Sequence, residues 1–279
     1  MNVIFDCDLT FGVSGCDVDD GLALLYLLGS GKVNLLGITN TYGNSDIETV
    51  YDATGKMLKE IGRTDLPHLK GCAGAGEYRS EAADFLVDTV DRCSGDVAIL
   101  ATGSLTNLFA AYKKDEAFFH KVDRICLMGG ITETLIINGN VLDELNFSCD
   151  PEAAFHVLTR GRRIGVATGN NCLSAFFSHA GFEGRFKASP EPIARYLYEK
   201  TAYWYEHNMR NYGIDGFYNW DVTAAAYLVD PELFVNNRTG ITPDPDSLGR
   251  GYLKGNGRPI EVELPEIRDT NNFEEHVYS

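Results

Sequence analysis

Val3-Ile4-Phe5-Asp6-Cys7-Asp8 opens the chain, and Asp17-Val18-Asp19-Asp20-Gly21-Leu22-Ala23-Leu24 follows after a short glycine-bearing loop. An apolar tripeptide that ends in Asp-x-Asp reads as a buried strand stopping at a polar site. In open α/β sheets, ligands bind just outside the carboxyl ends of the strands. Five carboxylates crowded there (Asp6, Asp8, Asp17, Asp19 and Asp20) repel one another unless a positive charge lies between them. Hard divalent cations take such oxygen ligands. The first expectation is therefore a cation site at the top of the first strand. Capping of the helix by Asp17 or Asp19 accounts for one aspartate through the free N–H groups and the helix dipole. It leaves the other four without a reason.

Outward from this stretch, short apolar runs alternate with helical patterns. An apolar helix over 21–28 is followed by a strand over 33–39 and a helix over about 46–61. Segments 97–100 and 124–128 are further strands, with a helix over 105–112 between them. Asp150 and Pro151 have the order of an N-cap and a first helical residue, which predicts a helix over 151–159. Segment 163–167 is another strand candidate. Strands alternating with helices imply an α/β fold: an open, Rossmann-like, mostly parallel central sheet covered by helices on both faces. From about 190 to 209 a long amphipathic helix carries Tyr196, Tyr198, Tyr203, Trp204 and Tyr205. An aromatic loop over 212–220 leads to a small-residue helix over 222–229. Strand-like pairs are expected around 251–253 and 260–263. No linker, repeat or low-complexity tract interrupts residues 1–279, so a single domain is expected.

The 279 residues suffice for a substantial core. A net charge of −16 opposes binding of nucleic-acid phosphates and of anionic membrane surfaces. No apolar run approaches the roughly eighteen residues that span a bilayer, and the start lacks a signal-peptide pattern. Seven cysteines are scattered without any Cys-x-x-Cys, which suggests buried free thiols and a reducing, cytoplasmic setting.

Phe5-Asp6-Cys7-Asp8-Leu9-Thr10 resembles the first motif of haloacid-dehalogenase-like phosphatases, in which the first Asp is the nucleophile. That family also requires a Lys and a later Gly-Asp-x-x-x-Asp pair for Mg²⁺, and no such acidic pair stands at a strand end here. A wider set of motifs resembles another family, the calcium-dependent nucleoside hydrolases. Asp6, Asp8, Asp19 and Asp20 match its D-x-D…D-D opening, with a longer loop. Gly37-Ile38-Thr39-Asn40-Thr41-Tyr42-Gly43-Asn44 resembles its second-strand G-N turn. Ala101-Thr102-Gly103-Ser104-Leu105-Thr106-Asn107 resembles its T-G-x-L-T-N segment, and Leu127-Met128-Gly129-Gly130 its M-G-G. Gly139-Asn140, Glu144-Leu145-Asn146 and Asp150-Pro151-Glu152-Ala153-Ala154 follow in the family's order, as does Trp220-Asp221 before a small-residue helix. The similarity runs from residue 3 to about 229.

The resemblance implies hydrolysis of the N-glycosidic bond of ribonucleosides to ribose and free base. It implies Ca²⁺ held by Asp8, Asp20, Asp221 and the carbonyl of Thr102, with Asp8 also the general base toward water. Asp19, Asn44, Met128, Asn140, Glu144, Asn146 and Trp220 are then the expected substrate-side residues. Asp6 would position its neighbours, and Asp17 would be a cap or a solvated loop residue. For Asn107 a local backbone cap is the bland alternative. Many members carry His before the late metal aspartate; here that position is Trp220, which resembles the purine-preferring branch. The 71–76 segment lacks the family's early His, and the 140–144 gap is short. His207 is the one nearby candidate for a leaving-group acid. A small-molecule nucleoside partner and a homo-oligomer, dimer or tetramer, are expected. A Mg²⁺-dependent phosphatase using Asp6, and a non-catalytic nucleoside or ribose binder on the same fold, are the competing readings.

Overall fold

The computed structural model describes residues 1–93, 95–187 and 189–279. The first strand, β1 (Asn2–Cys7), lies between two parallel neighbours, β2 (Asn34–Asn40) and β4 (Ala98–Ala101). Enclosed on both sides and both faces, it needs apolar residues throughout. Its side chains alternate as a strand requires. Val3 and Phe5 enter one hydrophobic cluster, with Leu24, Met57 and Tyr227. Ile4 enters the other, with Leu86, Phe109 and Val157.

The main sheet has eight strands. Beyond β2 lies the short β3 (His68–Lys70). On the far side of β4 come β5 (Arg124–Met128), then Ile164–Ala167, Ile260–Ile267 and finally Phe234–Ile241. All pairs are parallel except the last, where Phe234–Ile241 runs antiparallel to Ile260–Ile267. The chain therefore moves outward from β1 through β2 to β3, then returns to place β4 on the other side of β1. This reversal of strand order is where open α/β sheets leave a crevice. Asp8 lies one residue past the end of β1, and Thr102 immediately follows β4.

Helix α1 (Asp19–Gly29) starts with the acidic pair and packs against the helix Trp220–Val229. Helix α2 (Ile47–Glu60) is capped by Asp46, whose carboxylate accepts the Thr49 N–H at 2.9 Å. The helix Pro151–Arg160 begins as expected, with the Asp150 side chain accepting from the Ala153 N–H at 3.0 Å. The long aromatic helix spans Pro192–Tyr212.

The structure amends the sequence reading in several places. Residues 251–253 form no strand; Tyr252 makes only an isolated bridge to Ile131. The 212–220 segment contains a strand, Gly216–Tyr218, paired with Phe176–Ser178. A further hairpin, Leu135–Ile137 with Asn140–Leu142, was not anticipated. All seven cysteines are free thiols. No described helix is long and apolar enough to cross a membrane.

Candidate active site

Two cavities of small-molecule size stand out among the described residues, and the larger of the pair is not at the strand ends. The smaller, about 270 Å³, is the one lined by Asp17, Asp19, Asn44, Thr102, Asn146 and Asp221. Its chemistry, rather than its size, marks it as the site.

Asp8 is fully buried at the bottom of this arrangement. Its Oδ2 accepts the Asn44 backbone N–H at 2.6 Å, while its Oδ1 has no partner. The two glycines of the surrounding turns allow this close fit. A Cβ on Gly43 would lie 2.1 Å from Asp8 Oδ2, and one on Gly103 would lie 3.0 Å from Asp8 Oδ1. The glycines of the Tyr42-Gly43-Asn44 and Thr102-Gly103-Ser104 motifs thus make room for one carboxylate.

The other acidic groups converge from separate elements. Asp20, in the first turn of α1, accepts the Thr102 hydroxyl at 2.7 Å and the Asn44 amide at 3.4 Å. Asp19 accepts the Asp221 backbone N–H at 3.1 Å, which ties the start of α1 to the start of the helix Trp220–Val229. Asp17 corrects the sequence reading. It is not the cap of α1, whose N-cap is Val18 without a side-chain bond. It faces the cavity and accepts the Asn44 amide at 2.8 Å. A loop residue has no periodicity to announce its direction, so only the excess of aspartates hinted at this.

Burial dominates the electrostatics. It pushes Asp8 and Asp19 up to about 6, against the backbone hydrogen bonds that favour their ionised forms. Asp17, Asp20 and Asp221 are raised well above the ordinary carboxylate range, by burial and then by repulsion from the neighbouring aspartates. No Lys or Arg is among the described residues lining the cavity. Like charges held together without a cation keep protons.

This donor set has the chemistry of a hard-cation site. Asp8, Asp20 and Asp221 with the Thr102 carbonyl are all oxygen donors, and Asp8 Oδ1 is a buried acceptor with nothing to accept from. The side chains alone do not close a cage. Among the described residues, no group of three or more His, Cys, Asp and Glu is placed to hold an ion by itself. Carbonyl, water and sugar oxygens would have to complete the shell, as Ca²⁺ with its six to eight ligands permits.

The remaining expected residues divide. Met128 and Asn146 line the cavity; the Asn146 amide donates to the carbonyls of Thr102 at 2.8 Å and Met128 at 3.0 Å. The first of these bonds fixes the Thr102 carbonyl. Glu144 also lines the cavity, but its carboxylate is held by the N–H groups of Gly130 (3.0 Å), Phe147 (2.9 Å) and Ser148 (2.9 Å). It is a brace for the Gly129-Gly130 turn at least as much as a contact for a ligand. Asn140 is not brought to the site. It is exposed on the hairpin and its amide donates to Ile137 and Asn138 in its own turn.

Asp6 is fully buried and is not among the residues lining the cavity. Its Oδ2 accepts the Thr39 hydroxyl at 2.6 Å and the Asn107 amide at 2.9 Å, and burial raises it to about 7. Asn107 also accepts the Cys72 N–H, so it staples three segments rather than capping locally. Asp6 is thus tied into the scaffold by Thr39 and Asn107, which lends the phosphatase reading no geometric support.

The outer wall is aromatic. Trp220 is half-buried and lines the cavity with Trp204, Tyr212, Phe217 and Tyr218; the Tyr218 and Trp220 rings lie 5.3 Å apart. The aromatics of the long helix are expected mostly in the core or an interface, with a few at a pocket mouth, and Trp204 is one that lines the cavity. His207 stacks on Trp204 at 4.5 Å and is not among the lining residues.

Comparison with known proteins agrees with this geometry. A model of the inosine-uridine preferring nucleoside hydrolase family matches residues 3–273. Uridine nucleosidase 1 of Arabidopsis thaliana is 30% identical over 250 residues, covering 78% of this chain and 72% of the relative. The pyrimidine-specific ribonucleoside hydrolase of Citrobacter koseri is 26% identical over 262 residues, covering 84% and 81%. A plant nucleoside hydrolase structure superposes with a TM-score of 0.86 at 24% identity, over 99% of this chain and 97% of that one. A purine-preferring ribonucleoside hydrolase from Gardnerella vaginalis gives 0.83 at 23% identity, over 100% and 97%.

Proposed function

We propose that this chain, which belongs to the inosine-uridine preferring nucleoside hydrolase family, cleaves purine ribonucleosides with the carboxylate cluster at the β1–β4 switch point. The chain is an N-ribohydrolase by that membership: it hydrolyses the N-glycosidic bond of ribonucleosides. The observation that carries the finer reading is the burial of Asp8, Asp20 and Asp221 beneath an aromatic wall with no histidine among the described lining residues.

Asp8, Asp20, Asp221 and the Thr102 carbonyl would hold Ca²⁺. Bound there, the cation would supply a fixed positive charge that orients water and sugar hydroxyls and lowers the water's pKa. Asp8 is anchored through Oδ2 by the Asn44 N–H, which leaves Oδ1 to take the proton of the attacking water. The water oxygen bonds to C1′ as the C1′–N bond breaks, and the base departs with the bonding pair. Positive charge develops on the ribose in the transition state. Asp17 and Asp19, which line the cavity, would stabilise that charge. Asn146 and Asn44 fix the carbonyl and carboxylates that the sugar meets.

The indole of Trp220 offers a flat surface for the base, with Trp204 and Tyr218 beside it. A purine presents the larger face to such a wall and spreads the departing charge over two fused rings. The second reading is a uridine preference, favoured by the names of the curated relatives. Release of reducing sugar from inosine, adenosine, guanosine, uridine and cytidine tests both, with Ca²⁺ present and after chelation. The proposal expects the highest kcat/KM for a purine nucleoside and loss of turnover on chelation, restored by Ca²⁺. Faster uridine cleavage overturns the base preference, and full activity in chelator overturns the cation.

A further inference from the structure

The hairpin of Leu135–Ile137 and Asn140–Leu142 forms one wall of the catalytic cavity. Its side chains alternate as a strand pair requires. Leu135, Ile137 and Leu142 line the cavity, while Ile136 and Val141, partners across the ladder, are exposed. Another wall is the long helix, which contributes Trp204, Asn208 and Tyr212, spaced four residues apart on one face.

The hairpin is anchored at its base. On one side the Ile131 N–H donates to the Gly251 carbonyl at 2.7 Å, and the Thr132 N–H to Asn170 Oδ1 at 2.8 Å. On the other, the Glu144 carboxylate accepts from Gly130, Phe147 and Ser148. Between these anchors no described helix or strand packs closely on the hairpin, whose regular contacts are between its own two strands. A segment so sparsely packed opens locally at low cost. Its tip has a single attachment. The Asn138 amide donates to the Tyr212 carbonyl at 2.8 Å and lies 3.5 Å from the Gly213 carbonyl, which joins the two walls. Among the described residues, no other hydrogen bond ties segment 135–143 to the rest of the chain.

The chemistry of that attachment is specific. The two carbonyls stand at the C-terminal end of the long helix, where carbonyls lack partners within the helix and the dipole favours a donor. Gly213 permits the approach, since a Cβ there would lie 2.9 Å from Asn138 Nδ2. Asn138 (φ 47°) and Gly139 (φ 82°) are both left-handed, as in a tight two-residue turn. Asp or Gly at position 138 would serve such a turn as well as Asn does. The donation to the helix end is therefore a second role, separable from the turn.

We propose that this hairpin is a lid on the catalytic cavity and that Asn138 is the positioning residue that latches it to the long helix. The inference rests on the reading that this cavity receives the nucleoside. Latched, the hairpin holds its apolar face toward the cavity; released, it opens a path for the nucleoside to enter and for ribose and base to leave.

The chain's two tryptophans, Trp204 and Trp220, both line the cavity, so collisional quenching of their fluorescence reads how open it is. Acrylamide suits the whole chain because it is neutral and the acidic cluster does not repel it. Asn138→Gly keeps the turn and removes the latch. One net hydrogen bond lost makes the open lid about 2- to 13-fold more populated, read as a higher quenching constant. Asn138→Asp keeps the turn and the side-chain shape but sets a carboxylate against the helix end, and should quench more than Asn138→Gly. Val141→Thr alters only the outer face and should quench as the parent does. If Asn138 serves the turn alone, both substitutions at 138 leave quenching at the parent's value and the latch is refuted. It is refuted too if Val141→Thr raises quenching as much as Asn138→Gly, since any loosening of the hairpin would then suffice. The measurement needs no nucleoside, so a failure of the substrate reading and a failure of the latch are told apart.

Discussion

Gly43→Ala isolates the positioning of Asp8 from its chemistry. The added methyl would lie 2.1 Å from Asp8 Oδ2, where ordinary contact begins at 3.4 Å, so the carboxylate or the turn must yield by about 1.3 Å. Gly43 has no positive φ, so the alanine brings no backbone strain of its own. The neighbouring Asn44 N–H bond to Oδ2, 2.6 Å long, would be lengthened or lost in the same movement. A misplacement of 1 Å at a reacting group costs about 10²-fold in rate, which is about 2.7 kcal/mol of transition-state stabilisation. The expected result is a fall of about 10²-fold or more in kcat/KM for the best nucleoside, with the far-ultraviolet circular dichroism unchanged. Gly74→Ala is the control, because a Cβ there meets nothing within 4 Å. If Gly43→Ala retains activity within about threefold of the parent and melts at the same temperature, Asp8 need not sit where the structure holds it, and its role as base falls.

Asp8→Asn keeps the Asn44 contact while removing the proton acceptor, and should lower kcat by about 10²–10⁴-fold with a much smaller change in KM; near-normal turnover would exclude Asp8 as base. Trp220→Ala should raise KM for purine nucleosides more than for pyrimidine ones, and equal losses would assign the indole to packing. Burial pushes the Asp230 carboxyl up, but hydrogen bonds from Lys32, Tyr26 and His276 outweigh it and hold the group below the usual carboxylate range. A depressed carboxylate contributes stability that is present above its unfolded pKa of about 4 and is lost as pH falls through the folded value. The melting temperature of Asp230→Asn should therefore trail the parent by a few degrees near pH 7 and converge with it in acid, and a gap that widens in acid would reverse the assignment.

Which parts of this molecule could be read from its sequence follows from where the determinants lie along the chain. The strand ending at Asp8, the apolar helix after Asp20 and the Asp150-Pro151 helix start are local patterns, and each stands where expected. The strand Phe234–Ile241 escaped because it is a sheet edge: Val235, Asn236, Asn237 and Thr239 offer no apolar alternation. The short hairpins escaped because three-residue strands carry too few side chains to show a period. Within the site, the motif residues at strand ends and helix starts were legible, since the backbone fixes their direction. Asp17 and Asn140 were misassigned for other reasons: Asp17 is drawn to the cavity by Asn44, distant in sequence, whereas the Asn140 amide turns back on the carbonyls of Ile137 and Asn138 in its own hairpin.

The bond from the Asp221 N–H to Asp19 joins residues that leave the ribosome far apart in time. At about 5–20 residues per second, the two hundred residues between them take about ten to forty seconds to synthesise. Throughout that interval Asp8, Asp19 and Asp20 exist without the helix that completes their enclosure, and the crevice is open to water on one side. Their mutual repulsion is then relieved by solvent instead of by neighbours. The helix Trp220–Val229, which packs on α1 and brings Asp221 to the other carboxylates, is among the later parts of the chain to be made, so the acidic set is complete only once the last quarter of the chain is under synthesis.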